Sequence, residues 1–133
     1  MRISNIGLFV KDLEGAKKFF EDYFGFEEHV EYHEDNGFKE YILKLPEGPK
    51  LEIMTKPEIV DEKKDPNRTG YAHICIKCDS KEKFDVILDR IHAAGYHIFY
   101  EPATNGGKEV RAVMFEDNVI EVCYWAGQPA YEH

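Results

Sequence analysis

The sequence predicts an α+β fold made of two βαβββ modules, which form a cleft-shaped mixed β-sheet with helices on its outer face. Three observations lead to this prediction. The same order of strand-like and helix-like segments occurs in module one (about 1–56) and in module two (about 70–126), a polar linker at 57–69 separates them, and four polar residues recur at matching spacings. The 133 residues suit one domain. Helix bundles and doubly wound sheets are disfavoured because each module has one helix for four strands.

The first module begins with a β-branched, apolar strand candidate at 3–10. Asp12 can cap the helix LEGAKKFFEDYF, which ends before Gly25, and Gly15 weakens this helix. Apolar residues at helical spacing form one core-facing stripe: Leu13, Ala16, Phe20 and Phe24. Three strand candidates, separated by turn signals, complete the module: 26–34, 38–45 and 50–56.

The second module repeats this order. Its first strand candidate is YAHICIKC at 71–78, either Asp79 or Ser80 can cap the next helix, and Gly95 ends it. The apolar stripe of this helix has five members: Phe84, Ile87, Leu88, Ile91 and Ala94. Three strand candidates follow: 96–101, 110–116 and 118–125.

Four polar residues support the repeat by their spacing. Asn5 and Glu52 are 47 residues apart, and His73 and Glu121 are 48 apart. Between the modules, Asn5 and His73 are 68 residues apart, whereas Glu52 and Glu121 are 69 apart. Two copies of one unit predict such nearly equal offsets.

These four residues also need an explanation for their place in apolar strands. Side chains alternate between the two faces of a strand, which puts Asn5, Glu52, His73 and Glu121 on the faces opposite to the helices. A carboxylate flanked by apolar residues is costly to bury unless a metal ion, a hydrogen-bond network or an open cleft compensates it. Each residue alone is typical of an ordinary strand position. The joint pattern predicts a shared functional cleft.

Composition excludes several kinds of partner. The formal net charge of −9, without a basic cluster, argues against nucleic-acid binding, and no apolar run is long enough to cross a membrane. Three cysteines are an odd number for a disulfide framework, so we expect a cytoplasmic protein. Cys75 and Cys78 form a C-x-x-C spacing, but within a strand they point to opposite faces, which disfavours a zinc or redox site at this pair.

Two stretches carry a resemblance to a known family. NIGLFVKDLEGAKKFFEDYFGF (5–26) resembles the opening module of the vicinal oxygen chelate superfamily, and YAHICIKCDS (71–80) resembles the first strand of its second module. This superfamily includes glyoxalase I, fosfomycin-resistance enzymes, bleomycin-resistance proteins and extradiol dioxygenases. The resemblance covers nearly the whole chain and implies a paired-module fold.

The resemblance also implies a metal site. Glyoxalase I-like members bind their metal through a His and a Glu of each module, and the matching positions here are Asn5, Glu52, His73 and Glu121. Asn5 departs from the pattern, because an amide oxygen is a harder and weaker ligand for zinc or nickel than an imidazole nitrogen. Such a set suits Mg²⁺ or Mn²⁺ better than Zn or Ni, or it is linked by hydrogen bonds without a metal.

The resemblance implies a glyoxalase-like lyase or isomerase acting on a small vicinal-oxygen substrate, with Glu52 or Glu121 as the general base. The alternatives are a metal-free binding protein of the bleomycin-resistance type and a dioxygenase-like relative. A homodimer is the expected assembly. Five residues are candidates for substrate binding: Phe9, Met54, Lys77, Arg111 and Trp125.

Overall fold

The chain forms two compact units, of which the first spans Met1–Glu62 and the second begins at Lys63. The computed structural model describes residues 1–99 and 108–127. The boundary between the units lies inside the polar segment at 57–69. No helix in these described ranges is long and apolar enough to cross a membrane.

The first unit is a four-stranded mixed sheet with one helix. Its elements are β1 (Asn5–Phe9), α1 (Leu13–Phe24), β2 (Glu27–His33), β3 (Lys39–Lys44) and β4 (Lys50–Thr55). The strand order is β1-β4-β3-β2, with β1 parallel to β4 and the other neighbours antiparallel. The first and last strands of the unit therefore lie side by side.

Helix α1 has the bounds that its capping residues predict. The carboxylate of Asp12 accepts a hydrogen bond from the backbone N–H of Gly15, and Gly25 ends the helix in the left-handed region at φ 74°. The buried residues of α1 are Leu13, Ala16, Phe19 and Phe20. Phe19 is thus buried, whereas Phe24, which was expected to be buried, is half-buried; beyond the helix end the ring of Phe20 packs against Phe26.

The second unit is a three-stranded mixed sheet with one helix. Its elements are β5 (Ile74–Lys77), α2 (Lys81–Ala93), β6 (Glu109–Phe115) and β7 (Asn118–Tyr124). The order is β5-β7-β6, with β5 parallel and β6 antiparallel to β7. Ser80, rather than Asp79, caps α2, because its hydroxyl accepts a hydrogen bond from the N–H of Lys83.

Two strands of this unit differ from the expected ones. Strand β5 begins at Ile74 rather than at residue 71, so His73 precedes the strand. In the described part of the segment 96–101, Phe99 alone pairs, through a bridge with Ala112. Residues 100 and 101 lie outside the described ranges.

Each unit buries its own apolar core under its helix. In the second unit the buried side chains include Phe84 and Ile91 of α2 and Ile120 and Val122 of β7. Ile87 and Leu88 are half-buried, and Ala94 is exposed, so the buried stripe of α2 is narrower than expected. The two mixed sheets, each with one helix, agree with a βαβββ module and confirm the predicted α+β class.

Candidate functional site

The strand registers place Glu52 and Glu121 at equivalent positions of the two units. In the first unit, Glu52 of β4 lies beside Gly7 of β1; in the second, Glu121 of β7 lies beside Cys75 of β5. Both pairings are parallel and join the first and last strands of a unit. Each glutamate therefore shares a sheet face with the residue two positions before its strand partner.

Those residues are Asn5 and His73, and both contact their glutamate. Asn5 Nδ2 donates a hydrogen bond to Glu52 Oε2 over 3.4 Å. His73 Nε2 lies 3.4 Å from Glu121 Oε1, with 43% of the His73 side chain and 13% of the Glu121 side chain exposed. The structure thus brings together the predicted residues within each unit. That the two pairs meet in one cleft stays a prediction.

In the first unit, the acidic residue Glu40 lies beside the Asn5–Glu52 pair. It lies on β3, where Ile42 is the strand partner of Glu52 and Glu40 is the partner of Met54, so Glu40 and Glu52 share a face. Partial burial raises the pKa of the Glu40 carboxyl, and the adjacent Glu52 carboxylate raises this pKa further by repulsion and hydrogen bonding. The sequence alone offers little sign of this contact, because it depends on the register in which β3 pairs with β4.

The predicted apolar wall of the first unit lies on the same face. Phe9 is 50% exposed, and Lys56 Nζ lies 5.3 Å from the centre of its ring. A Cβ atom at Gly7 would lie 3.0 Å from the terminal methyl of Met54. Gly7 therefore leaves room for the Met54 side chain to lie across β1, next to Glu52.

In the second unit, two ammonium groups face one indole ring. Lys77 Nζ lies 4.4 Å and Lys108 Nζ lies 5.0 Å from the ring centre of Trp125. Lys77 is the strand partner of Cys123, which shares a face with Glu121. A cationic and aromatic surface thus lies next to Glu121 on the face that the sequence predicted.

Arg111 does not belong to this surface, contrary to its predicted place beside the cleft. Its strand partner is Val122, on the face opposite to Glu121, and its guanidinium carbon lies 5.8 Å from the ring centre of the buried Phe84 in α2. One guanidinium nitrogen donates to the backbone carbonyl of Val110 over 2.9 Å. Arg111 covers the helix side of the sheet.

The cysteine nearest to Cys75 is not its C-x-x-C neighbour Cys78 but Cys123. Cys75 is exposed, whereas Cys78 follows the last residue of β5 and is buried. The neighbour of Cys75 is Cys123, with the two Sγ atoms 2.8 Å apart. The hydrogen bond with Cys123 and partial burial raise the pKa of the Cys75 thiol, whereas burial raises the pKa of Cys78 to about 11.

Metal binding would require several ligand groups close together. In residues 1–99 and 108–127, no three His, Cys, Asp or Glu side chains cluster closely enough to hold a metal ion. In the second unit, His73 Nε2 and Glu121 Oε1 lie 3.4 Å apart, near the roughly 3 Å that separates neighbouring ligands of a Mg²⁺ or Mn²⁺ ion at about 2.1 Å. In the first unit, the Asn5 atom 3.4 Å from Glu52 Oε2 is the amide nitrogen, which is no metal ligand, so the amide would have to turn to present its oxygen. By residue type, carboxylate, amide and imidazole groups are ligands of hard or borderline ions.

In both units a glutamate on the last strand lies beside the first strand, and this repeated relation is consistent with βαβββ modules. Residues 4–115 match the Glyoxalase/Bleomycin resistance protein/Dioxygenase superfamily, and the chain belongs to this superfamily. The resemblance that the sequence motifs indicated is thereby confirmed. The search of curated proteins found no match.

Solved structures of this superfamily share the fold. A glyoxylase/bleomycin resistance protein/dioxygenase domain from Frankia sp. EAN1pec is 19% identical with a TM-score of 0.79, over 95% of this chain and 98% of that one. The trypanothione-dependent glyoxalase I of Leishmania major is 18% identical with a TM-score of 0.74, over 93% and 86%.

A third solved structure is more similar in sequence. The fosfomycin resistance protein FosX from Listeria monocytogenes, in complex with Mn(II) and dihydroxypropylphosphonic acid, is 25% identical with a TM-score of 0.72. The alignment covers 95% of this chain and 92% of that one.

Proposed function

We propose that this chain is a divalent-metal-dependent lyase or isomerase that acts on a small substrate with two adjacent oxygen atoms. The observation that carries the proposal is the repeated pair: Asn5 with Glu52 and His73 with Glu121, each 3.4 Å apart and each in the same place of its unit. A chance surface contact has no reason to recur at the same register position of both units.

The four side chains have distinct roles in this proposal. The amide oxygen of Asn5, the imidazole of His73 and the carboxylates of Glu52 and Glu121 would hold the ion. When bound, the ion supplies Lewis-acid polarisation of the substrate oxygens. Its preference would be Mn²⁺ or Mg²⁺ over Zn²⁺ or Ni²⁺, because three of the four residues offer oxygen.

Glu52 is the better placed of the two glutamates to move a proton. Glu40 lies beside it, and burial foremost, together with the neighbouring Glu52 carboxylate, raises the pKa of Glu40. Glu52 would accept a proton from a substrate carbon and return it to a neighbouring carbon. Glu121 has His73 as its neighbour instead and would remain a ligand.

The walls of the two units suit different parts of a substrate. Phe9 and Met54 offer apolar surface beside Glu52, whereas Lys77 and Trp125 offer positive charge and a ring beside Glu121. The dihydroxypropylphosphonic acid bound by FosX combines adjacent oxygens with an anionic group. We propose the same combination for this substrate, with the anionic group near Lys77.

One observation favours a second function. The Asn5 amide satisfies Glu52 through its nitrogen, so this pair is already compensated by a hydrogen bond. The second candidate is therefore a binding protein of the bleomycin-resistance type that sequesters a ligand without a metal.

We also propose that the protein is cytoplasmic and forms a homodimer. Light scattering after gel filtration would measure the number of subunits.

Metal content separates the two candidates. The purified chain, Asn5→His and the exposed control Asn67→His are each stripped with a chelator and titrated with Mn²⁺ and Ni²⁺ in a calorimeter. We expect the wild type and Asn67→His to bind Mn²⁺ and Asn5→His to gain at least about tenfold in Ni²⁺ affinity, because imidazole nitrogen suits nickel. If the wild type takes up no divalent ion, and if it binds a small molecule equally well with and without chelator, the metal-dependent enzyme is excluded and the sequestering protein is supported.

A further inference from the structure

We propose that Cys75 and Cys123 form a redox-active dithiol that closes to a reversible disulfide on reaction with a small-molecule disulfide. The two residues lie on neighbouring parallel strands, where Cys75 is the partner of Glu121 and Cys123 is the partner of Lys77. They therefore share one sheet face at diagonal positions. Their Sγ atoms are 2.8 Å apart.

The strands hold the two thiols within reach of each other. The backbone N–H of Cys78 donates to the carbonyl of Cys123 over 2.8 Å, in continuation of the β5–β7 ladder. A disulfide bond is about 2.05 Å long, so closure asks the sulfurs to approach by less than about 1 Å.

The exposure of the two thiols sets the order of the reaction. Cys75 is exposed, whereas 1% of Cys123 is accessible to solvent. The sulfur of Cys75 would attack one sulfur of a small disulfide and form a mixed disulfide, and its proton would pass to the sulfur that leaves as one small thiol. Cys123 would then attack the Cys75 sulfur and release the second small thiol.

The electrons and protons balance in this sequence. The two protein thiols lose two electrons and become one disulfide. The small disulfide gains these electrons and becomes two thiols, which take the two protons. Reduction by an excess of small thiol runs the same steps backwards, so the modification is reversible.

The third cysteine supplies a matched control. Cys78 is buried, and strand alternation puts its side chain on the opposite face from Cys75. Cys78 follows the last residue of β5, and its N–H donates to the carbonyl of Cys123, so a crosslink that includes Cys78 is the competing outcome. The proposal does not rest on the metal-dependent function, because neither thiol is among the proposed ligands.

The test uses the purified full chain and three variants. Wild type, Cys75→Ser, Cys78→Ser and Cys123→Ala are reduced, freed of reductant and exposed to excess glutathione disulfide. Remaining thiols are then alkylated, and intact mass and peptide maps are recorded. We expect wild type and Cys78→Ser to lose two hydrogens and show a Cys75–Cys123 crosslink. Cys123→Ala should stop as a glutathione adduct at Cys75, and Cys75→Ser should resist oxidation.

Three results would overturn the proposal: three alkylated cysteines in the wild type, a wild-type glutathione adduct at Cys75 that never closes, or a crosslink that includes Cys78. Cys123 is buried, so Cys123→Ala could lose its fold, which circular dichroism would reveal. The wild-type crosslink and the exposed Cys75→Ser variant decide the question in that case. Metal titration of the reduced protein reports separately on the proposed function.

Discussion

His73 Nε2 lies 3.4 Å from Glu121 Oε1, although His73 precedes its strand and Glu121 lies within β7. The contact reproduces the relation of Asn5 to Glu52 in the first unit. Both contacts depend on a first strand that runs parallel to the last strand of its unit. The two units thus share one arrangement although one residue type differs, and this difference sets the metal preference in our proposal.

Replacement of Glu121 should weaken ion binding. Glu121→Gln keeps the size of the side chain and removes its charge, and we expect Mn²⁺ affinity to fall at least about tenfold. Glu47→Gln, in the exposed turn between β3 and β4, serves as the control and should bind as the wild type does. Isothermal calorimetry measures both. Equal affinities of the two variants would exclude Glu121 as a ligand.

Replacement of Glu40 should stabilise the first unit. Glu40→Gln removes the repulsion between Glu40 and Glu52, and for two partly exposed groups we expect a gain of about 0.5 kcal/mol at neutral pH. Glu27→Gln, on the exposed strand β2, is the matched control and should change stability less. Urea unfolding gives the comparison. A loss of stability in Glu40→Gln would show that the negative charge of Glu40 has a favourable partner.

Asp117 should contribute to the acid sensitivity of the second unit. Its carboxylate accepts hydrogen bonds from the Lys64 ammonium at 2.9 Å and the Lys64 backbone N–H at 2.6 Å, and the ammonium foremost lowers the pKa of Asp117. A lowered pKa stabilises the fold above the unfolded-state value of about 3.9, and this stabilisation is lost as pH falls through the folded-state pKa.

Asp117→Asn should therefore destabilise the protein at pH 7 by about 1 kcal/mol, and the difference from the wild type should shrink as pH falls below about 4. Asp85→Asn removes the exposed i,i+4 ion pair with Lys81 and should cost less than about 0.5 kcal/mol. Urea unfolding at several pH values measures both. A pH-independent cost for Asp117→Asn would contradict the role of its charge.

Glycine at position 15 should be as stabilising as alanine in α1 only while Asp12 caps the helix. A Cβ atom at Gly15 would collide with the Asp12 carboxylate, which accepts the N–H of Gly15 over 3.0 Å. In the wild type, Gly15→Ala should bring no gain, because the loss of the cap, about 1 kcal/mol, offsets the better helix propensity of alanine. In an Asp12→Ala background, the same change should stabilise by about 0.5–1 kcal/mol.

A double-mutant cycle by thermal or urea unfolding tests this coupling. The four proteins are the wild type, the two single variants and the double variant. Equal effects of Gly15→Ala in both backgrounds would mean that the cap and the glycine act independently.

Local features of the sequence were sufficient for the helices. Helix α1 begins and ends as its capping pattern predicts, because a cap and a C-terminal glycine act within a few residues of the helix end. Strand bounds were less accurate: β5 is shorter than expected, and His73 lies before it. A strand depends on its partner for its hydrogen bonds, and the partner of β5 lies more than forty residues further along the chain.

The sequence by itself determined the α+β class and the repeated units, and it predicted that Asn5, Glu52, His73 and Glu121 occupy matching positions of these units. These follow from apolar periodicity, turn residues and equal spacings, which are properties of the chain as written. Only the tertiary structure decided that Glu40 adjoins Glu52 and that Cys75 adjoins Cys123, and only it placed Arg111 on the helix side. Each of these depends on which strands pair and in what register, and a shift of one residue would turn every side chain to the other face.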